Sequence, residues 1–422
     1  MLDIKLLRED KEKVIKNLEK REGFDTTIVD KVLEVDIEWR KEKKELDTLK
    51  AQKNKESKAI AEVKKAGGDI KAQIAKVKEV SDNIAQKDEE LKQILSKRDE
   101  LLLLIPNMLD AEVPKGADDE ANIPIRFHLE KPEFDFEVKN HQELCLQNNW
   151  FDLDQAAKVS GARFYYTKGD LVLLELGLYN FVMDKLSKKG YTPVITPPML
   201  RRETLGKSVP LESFEEDIYK IQDEDLYLIA TSEHTLAALH DSDTFNHKDL
   251  PVKYAGMSQC FRKEAGVTKD SKGIFRVHNF NKIEQFVFCK PEDSDKIHNE
   301  LTANAEEIFQ DLEIHYQIVD ICSGDMGGMA TRKYDLEAWL PSQQKYREMV
   351  SASNYRDYGA RRLSARYQTE EGGLELVHTL NSTAIALTRC MIAILEQHQT
   401  SDGRVRIPEK LRPYLQHREY LQ

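Results

Sequence analysis

Charged and aromatic side chains are concentrated between residues 261 and 284, in a stretch whose residue types could bind a phosphorylated, planar ligand. Two runs with strand character, residues 254–263 and 274–288, flank the polar loop 268–273, so the sequence predicts an antiparallel hairpin. Strand side chains alternate between two faces, which places the chemically active residues of the second run on one face. They are Arg276, His278, Phe280, Lys282 and Glu284. With a further arginine near the end of the first run and a glutamate directly after it, the hairpin suits a polyanion that carries a planar base and a cationic amine.

Glycine-rich phosphate loops are absent from the sequence. Neither G-x-G-x-x-G nor G-x-x-x-x-G-K-[S/T] occurs, so phosphates would have to be held by arginines and a metal ion. A second polar pair precedes the hairpin. Thr231 and Glu233 are two residues apart, and this spacing predicts that they share one strand face.

The elements that must position these residues begin near residue 138. Helices are predicted at residues 169–189, 292–310 and 382–397. Strands are predicted at residues 226–230, 252–257, 274–288, 315–321, 333–340 and 346–351. Successive strands without intervening helices indicate an antiparallel sheet. The fold class is therefore α+β, with an antiparallel sheet flanked by helices.

Composition is typical of a soluble protein with two or three domains. The chain has 422 residues, of which 40% are hydrophobic and 33% charged. No apolar run approaches the roughly 18 residues that span a bilayer, and the amino terminus lacks a signal-peptide core. The five cysteines show no C-x-x-C pair and no zinc spacing with histidine. We therefore expect a cytoplasmic location and no zinc site.

The amino-terminal part of the chain predicts a long helical hairpin. Apolar residues recur at alternating spacings of three and four over residues 32–63 and 70–95, on either side of Gly67-Gly68-Asp69. Each helix of about 35 residues would span roughly 50 Å, far beyond a compact domain. The heptads alone suit a dimerisation coiled coil equally well. However, residues 41–80 contain 12 lysines against 7 acidic residues, a local net charge of +5 in a chain of net charge −12. This excess favours nucleic acid as the ligand.

The hairpin at residues 261–284 resembles motif 2 of class II aminoacyl-tRNA synthetases, and its details are most similar to seryl-tRNA synthetases. The resemblance implies that Arg262 holds the α-phosphate of ATP and that Glu264 accepts from the adenine amino group. It also implies that Phe280 stacks on adenine and that Glu284 helps to bind serine. The implied ATP-binding residues are Arg262, Lys263, Glu264, Val277, Phe280, Glu348, Met349, Val350, Ser351 and Arg389.

Two later segments extend the resemblance. Residues 347–354 resemble a signature in which Glu348 and Ser351 hold Mg²⁺ between the ATP phosphates, and oxygen ligands suit this hard cation. Residues 378–389 resemble motif 3, in which Arg389 contacts the γ-phosphate. Arg262 and Arg389 would thus be the catalytic residues, acting by charge stabilisation.

Departures from the bacterial pattern are closer to the archaeal and eukaryotic branch. Ser232 stands where bacterial relatives have alanine, in the element that binds the serine ammonium and side chain, and Ser382 replaces a glycine. Ala352 and Gly359 are departures of another kind, because they replace a cysteine and a glutamine that are usual in the signature, and they keep a non-catalytic paralogue open. The implied serine-binding residues are Thr231, Ser232, Glu233, Arg262, Glu284, Asn381 and Thr383.

The resemblance covers nearly the whole chain and implies its organisation. Residues 1–105 would form a tRNA-binding domain, 106–137 a linker and 138–422 the catalytic domain. In seryl-tRNA synthetases such an arm grips the long variable arm of tRNA. Residues 190–199 resemble motif 1, which forms the dimer interface in that class, so a homodimer is implied.

The implied activity is ligation of serine to tRNA, with ATP and Mg²⁺ and without zinc. Two alternatives remain open. The first is a class II relative that loads a carrier protein or another tRNA, although such relatives generally lack a long basic arm. The second is a non-catalytic paralogue, which retention of Arg262, Glu264, Glu348 and Arg389 disfavours. The sequence leaves open whether selenocysteine tRNA is also charged.

Overall fold

The chain forms two compact units. The computed structural model describes residues 1–422 except 66, 68, 210, 212–214 and 265–272. Gly68 of the predicted reversal and most of the predicted hairpin loop therefore lie outside the described residues. The first unit comprises Met1–Glu19 and Gly23–Pro106, and the second comprises Lys20–Glu22 and Asn107–Gln422.

Helices build the first unit. They are α1 (Ile4–Glu9), α2 (Lys11–Leu18), α3 (Thr27–Lys65) and α4 (Lys71–Leu103). The carboxylates of Asp3 and Asp10 cap α1 and α2 by accepting from backbone N–H groups of their first turns. With 39 residues, α3 is about 58 Å long. In the described part of the chain no helix is long and apolar enough to cross a membrane.

The helices α3 and α4 pair in antiparallel orientation and form the arm. Lys50 pairs with Asp88 at 3.1 Å, and Lys76 pairs with Glu56 at 2.7 Å, so that positions late in one helix face positions early in the other. The apolar seam between them includes buried Leu46, Val80 and Ile84, with Leu49 and Leu91 packed against them. The predicted two-helix amino-terminal arm is thus confirmed.

The second unit contains both helices and strands, and several strands follow one another along the chain. Its helices are α5 (His141–Gln147), α6 (Leu153–Ser160), α7 (Asp170–Lys188), α8 (Arg202–Ser208), α9 (Ser232–Ala238), α10 (Ser294–Asp311), α11 (Asp357–Leu363) and α12 (Leu387–Gln397). The strands are β1 (Ile123–His128), β2 (Phe151–Asp152), β3 (Tyr166–Thr167), β4 (Thr192–Ile195), β5 (Met199–Leu200), β6 (Tyr227–Leu228), β7 (Thr244–Asn246), β8 (Val252–Phe261), β9 (Asn279–Cys289), β10 (Tyr316–Asp320), β11 (Arg332–Leu340), β12 (Lys345–Arg356), β13 (Arg366–Gln368), β14 (Leu374–Leu376), β15 (His378–Ala386), β16 (Val405–Arg406) and β17 (Tyr420–Leu421).

An eight-stranded sheet organises these elements, in the order β1-β10-β11-β12-β15-β9-β8-β4. All neighbours are antiparallel except the β4–β8 pair at one edge. The main core contains Ile283 and Val287 of β9 together with apolar residues of α7, α10 and α12. Because side chains alternate along a strand, Lys282 and Glu284 point away from this core. The predicted antiparallel sheet flanked by helices is confirmed.

The second strand of the predicted hairpin is shorter than expected. It begins at Asn279 instead of residue 274, although it pairs with β8 in the expected antiparallel orientation. Gly273 has a φ of +63°, and the backbone N–H of Ile274 donates to Nε2 of His141 at 3.4 Å. The N–H of His278 donates to the carbonyl of Arg163. These partners lie far away in sequence and end the ladder, so Arg276 and His278 do not continue the strand face.

Two other predictions, one about a helix start and one about a strand face, were wrong. Residues 382–386 continue β15 instead of starting a helix, because Ser382 and Thr383 pair with β9. Thr231 and Glu233 do not share a strand face. Thr231 is the N-cap of α9, and its hydroxyl accepts from the backbone N–H of Glu233 at 3.2 Å.

Candidate functional site

A cavity of about 540 Å³ lies on the polar face of the large sheet. Strands β9, β12 and β15 supply its floor, and the start of α9 and the chain after β8 supply its walls. It brings together most of the site residues predicted from sequence, which are Thr231, Glu233, Arg262, Glu264, Glu284, Glu348, Ser351, Asn381 and Thr383.

One end of the cavity holds two carboxylates among hydroxyl groups. The hydroxyl of Tyr355 donates to Oε1 of Glu233 at 2.7 Å and accepts from Nδ2 of Asn381 at 3.1 Å. Glu284 forms an ion pair with Lys282 and accepts from Oγ1 of Thr383 at 3.4 Å. Both members of this ion pair are buried.

Burial dominates the electrostatics of this end. It raises the pKa of Glu233 to about 7, and the negative charge of Glu284 adds to the shift. Two carboxylates held in one pocket repel each other, and a cationic ligand would relieve that repulsion. The end containing Glu233 and Glu284 is therefore suited to a small molecule that carries an ammonium and a hydroxyl group.

The opposite end of the site presents arginines and aromatic rings. The guanidinium of Arg262 lies 5.2 Å from the ring centroid of Phe280, and that of Arg389 lies 4.9 Å from the ring of Phe275. A smaller adjoining cavity is lined by these four residues and by Val277, Met349 and Glu348. Two guanidinium groups beside planar rings suit a phosphorylated ligand with a flat base.

Glu348 connects the arginine-rich end to a candidate cation site. Nη1 of Arg389 donates to the backbone carbonyl of Glu348 at 2.8 Å and lies 3.4 Å from its carboxylate. Burial raises the pKa of Glu348, but the charges of Arg389 and Lys333 outweigh it and hold the pKa below its ordinary value. Glu348 is thus an anionic oxygen donor at neutral pH.

A strand bulge places Glu348 and Ser351 on the same side of β12. Three residues apart, they would face opposite sides of a regular strand. In β12, however, Val350 pairs with Leu336 and Glu348 pairs with Glu337, so Met349 is an extra residue in the ladder. Both predicted oxygen ligands consequently line the cavity.

The oxygen atoms around Glu348 suit a hard cation that takes only some of its ligands from the protein. Asp335 pairs with Ser351 across the sheet, and burial raises the pKa of Asp335 to about 7 although Lys333 opposes the shift. Among the described residues, no group of three or more His, Cys, Asp or Glu side chains is placed to hold a metal ion. A magnesium ion at Glu348 and Ser351 would take its remaining ligands from phosphate oxygens and water.

Three predicted site residues lie outside both cavities. The hydroxyl of Ser232 donates to the carbonyl of Gly256 at 3.1 Å and is buried. Val350 packs into the main core. The backbone N–H of Lys263 donates to the carbonyl of Asp217, and its side chain lines neither cavity.

Sequence reasoning missed Tyr355, Lys333, Asp335 and the loop that contains Gly327–Ala330, all of which line the cavity or adjoin it. A signal existed for Tyr355, because Ser351, Ser353 and Tyr355 alternate and so share one face of β12. The loop has no periodic signal, and only the fold brings it to the cavity.

Two family models match the chain. The seryl-tRNA synthetase N-terminal domain matches residues 1–109, and the class II tRNA synthetase core domain (G, H, P, S and T) matches residues 217–398. The chain is 46% identical to a serine–tRNA ligase of Methanospirillum hungatei over 425 residues, which cover 100% of both chains. It is also 46% identical to a serine–tRNA ligase of Pyrococcus horikoshii, covering 98% of this chain and 96% of the relative.

Solved structures resemble the whole chain. A crystal structure of seryl-tRNA synthetase from Pyrococcus horikoshii complexed with ATP has a TM-score of 0.92 and 44% identity, and the match covers 100% of this chain and 99% of that one. A cytoplasmic serine–tRNA ligase from Naegleria fowleri in complex with AMP has a TM-score of 0.87 and 36% identity, with the same coverage.

Proposed function

The chain belongs to the seryl-tRNA synthetase family and is an aminoacyl-tRNA ligase, and we propose that it activates L-serine with ATP and transfers the seryl group to the 3′ end of tRNA(Ser). The serine carboxylate attacks the α-phosphate of ATP, which gives seryl-adenylate and pyrophosphate. The terminal ribose hydroxyl of the tRNA then attacks the seryl carbonyl, and AMP leaves. Neither step requires a covalent enzyme nucleophile.

The observation that carries the proposal is the pair of carboxylates at the hydroxyl-rich end of the cavity. Glu233 and Glu284 would bind the serine ammonium, and Thr383 would hydrogen-bond the serine hydroxyl together with Glu284. A site that hydrogen-bonds a substrate hydroxyl can reject an analogue lacking it by roughly 10⁴. Alanine should therefore be rejected strongly, whereas rejection of threonine depends on the size of the pocket.

ATP would occupy the arginine-rich end, with adenine on Phe280 and its phosphates near Arg262 and Arg389. Glu348 and Ser351 would hold Mg²⁺, which when bound neutralises phosphate charge. The arginines orient the phosphates and stabilise charge that develops at phosphorus. Catalysis then consists of positioning and charge stabilisation.

We further propose that the arm binds tRNA and that the enzyme is a homodimer in the cytoplasm. Exposed lysines along α3 and α4 supply the cations for phosphate binding.

The proposed dimer surface lies at one edge of the large sheet. The edge strand β4 leaves Ile195 78% exposed, and the neighbouring helix α7 exposes Leu176 by 53%. Such unpaired apolar residues beside a sheet edge suit a second copy of the chain. All five cysteines are buried and unpaired, as suits a reducing compartment.

The proposal is tested by pyrophosphate exchange into ATP with Mg²⁺ and one amino acid at a time. We expect the strongest exchange with serine and weaker exchange with threonine, cysteine, glycine and alanine. A preference for another amino acid would overturn the serine site, and the absence of any exchange would favour a non-catalytic paralogue. Charging of tRNA(Ser) and selenocysteine tRNA transcripts in the same preparation identifies the acceptor and excludes or supports a carrier-protein ligase.

A Thr383→Val variant provides a matched control for the hydroxyl contact. Valine keeps the branched shape of threonine and removes only the hydroxyl that donates to Glu284. If this contact selects serine, the ratio of serine to alanine exchange falls while the KM for ATP is unchanged.

A further inference from the structure

Arg21 is a buried arginine that reaches backbone carbonyls far away in sequence. It belongs to the segment Lys20–Glu22 of the second unit, whereas the residues on either side of that segment belong to the first. Its side chain is only 8% exposed. Nη1 donates to the carbonyls of Met326 at 2.7 Å and Gly327 at 3.3 Å, and Nη2 donates to those of Asn107 at 3.1 Å and Ala330 at 3.3 Å.

Burying this guanidinium is costly, and its hydrogen bonds offset the cost. Burial lowers the pKa of Arg21 to about 10, so the group is still charged at neutral pH. A buried charge is tolerated when it is hydrogen-bonded, and both terminal nitrogens of Arg21 donate to carbonyls, whereas its Nε has no hydrogen-bond partner among the described residues. A buried carbonyl that loses its donor costs about 1–3 kcal/mol. The planar fork of arginine holds five donors in fixed directions and suits several carbonyls at once, whereas lysine offers three donors from a single nitrogen.

The segment that Arg21 holds forms one wall of the large cavity. Gly327, Gly328, Met329 and Ala330 line the cavity that contains Glu233, and none of them lines the smaller cavity at the arginine-rich end. Consecutive glycines have wide conformational freedom, so this wall needs outside support to keep one shape.

Asn107 supports the same wall beside Arg21. Its backbone N–H donates to the carbonyl of Gly328 at 2.7 Å, and its Nδ2 donates to the carbonyls of Met329 at 2.9 Å and Tyr355 at 3.0 Å. Tyr355 in turn donates to Glu233 at 2.7 Å. Hydrogen bonds, together with the backbone and side chains of Asn107 and Tyr355, therefore connect Arg21 to the carboxylate end of the cavity.

We propose that Arg21 is a positioning residue for the amino-acid end of the site, where it fixes the wall Met326–Ala330 and, through Asn107, the Tyr355–Glu233 pair. The inference rests on the proposed binding of serine at this end. It assigns a role in the catalytic unit to a residue that lies, in sequence, between helices of the amino-terminal unit.

The test uses steady-state pyrophosphate exchange by the full-length chain with three variants. In Arg21→Met the apolar stem is kept and the four donor contacts are lost, and we expect the KM for serine to rise about tenfold while the KM for ATP stays within about twofold. In Arg21→Lys one ammonium can reach part of the carbonyl set, and we expect about a threefold rise. Lys20→Met is the matched control, because the adjacent Lys20 donates to the carbonyl of Asp110 at 3.4 Å instead of to the wall carbonyls that Arg21 contacts.

The outcomes distinguish positioning from general stability. A selective rise in the serine KM, partly restored by lysine, supports the proposal. Equal rises in both KM values with a lower melting temperature, or wild-type values in both Arg21 variants, overturn it. If Arg21→Met does not fold, Arg21→Lys decides by the same criterion. Failure of the wild-type chain to exchange with serine would instead contradict the proposed function.

Discussion

The helical arm and the cavity of the second unit use charged residues in opposite ways. In the arm, the Lys50–Asp88 pair leaves both side chains more than 40% exposed. In the cavity, Lys282 and Glu284 are 8% and 2% exposed. Exposed pairs are screened by water and salt and contribute about 0–1 kcal/mol, whereas breaking a buried pair costs about 3–5 kcal/mol.

The two regions should therefore differ in how they respond to substitution. Substituting one buried charged group has a large effect on its own, because water does not take over its interactions when the group is removed. Exposed lysines act through the sum of their charges, and each can be lost at small cost. We expect large effects confined to one substrate in the cavity, and small additive effects on tRNA in the arm.

The largest single-residue effect is expected for Arg262→Ala. The side chain stacks beside Phe280 and faces the end of the cavity proposed for phosphates. Its loss should lower the turnover of pyrophosphate exchange by about 10² or more, because it removes charge stabilisation at phosphorus. Arg126→Ala, which removes an exposed pair with Glu306, is the control. A loss below tenfold would show that this half-buried arginine behaves like a surface charge.

Removing the tip of the arm should abolish specific tRNA binding and spare the chemistry. We would replace residues 41–80, which carry the local charge of +5, with a short Gly-Ser linker. For about three phosphate contacts, the affinity of the intact chain should fall about 40-fold between 50 and 200 mM salt, and the deletion should flatten this dependence. Filter binding measures the affinity. Loss of serine-dependent exchange in the deletion variant would contradict the separation of roles.

Glu284→Ala should impair serine use more than ATP use. The substitution removes a carboxylate that accepts from Thr383 and leaves Lys282 buried without its partner. A lost hydrogen bond to a charged group costs about 2 kcal/mol, which corresponds to a rise of about 30-fold in the KM for serine. Glu300→Ala is the control, because Glu300 pairs with Lys253 in the same unit but outside the cavity. Unchanged turnover with serine would show that Glu284 does not bind serine.

Serine use should also depend on pH through Glu233. Burial raises the pKa of this carboxylate to about 7, so it gains a proton as the pH falls below that value. The proton cancels the charge that would bind the serine ammonium, and kcat/KM for serine should fall about tenfold per pH unit below pH 7. Glu233→Gln should lose this dependence. A wild-type profile that stays flat from pH 8 to 6 would show that Glu233 does not bind serine in its charged form.

The same contrast explains how much the sequence could predict. The arm was predicted because its seam, with Leu46 and Ile84, repeats at a local helical period. The antiparallel class of the sheet followed from successive strands. The start of β9 could not be predicted, because the N–H of Ile274 is satisfied by His141, which lies 133 residues away. Hydrogen bonds between residues far apart in sequence produce no periodic pattern from which they could be predicted.

For the cavity, motif spacing indicated which residues lie close together, but not the backbone geometry that places them there. Glu348 and Ser351 share a face only because Met349 bulges out of register. Thr231 was expected on a strand and instead caps α9, as its residue type permits. Arg21 lies before the periodic pattern that predicts the arm, in the stretch that the resemblance assigns to the tRNA-binding domain, and only the folded chain places it at a wall of the cavity.

The smallest predicted effect, in the arm, tests the comparison most directly. Lys55 is exposed on α3, and Lys55→Ala should weaken tRNA binding about two- to threefold and lower the salt slope by about one unit, with no change in the KM for serine. Lys410→Ala, an exposed lysine of the second unit, is the control. Adding Lys58→Ala and Lys65→Ala should multiply the effects, because screened charges contribute independently. A single arm lysine that costs 100-fold would mean that the arm also contains an individually essential contact, and the contrast with the cavity would fail.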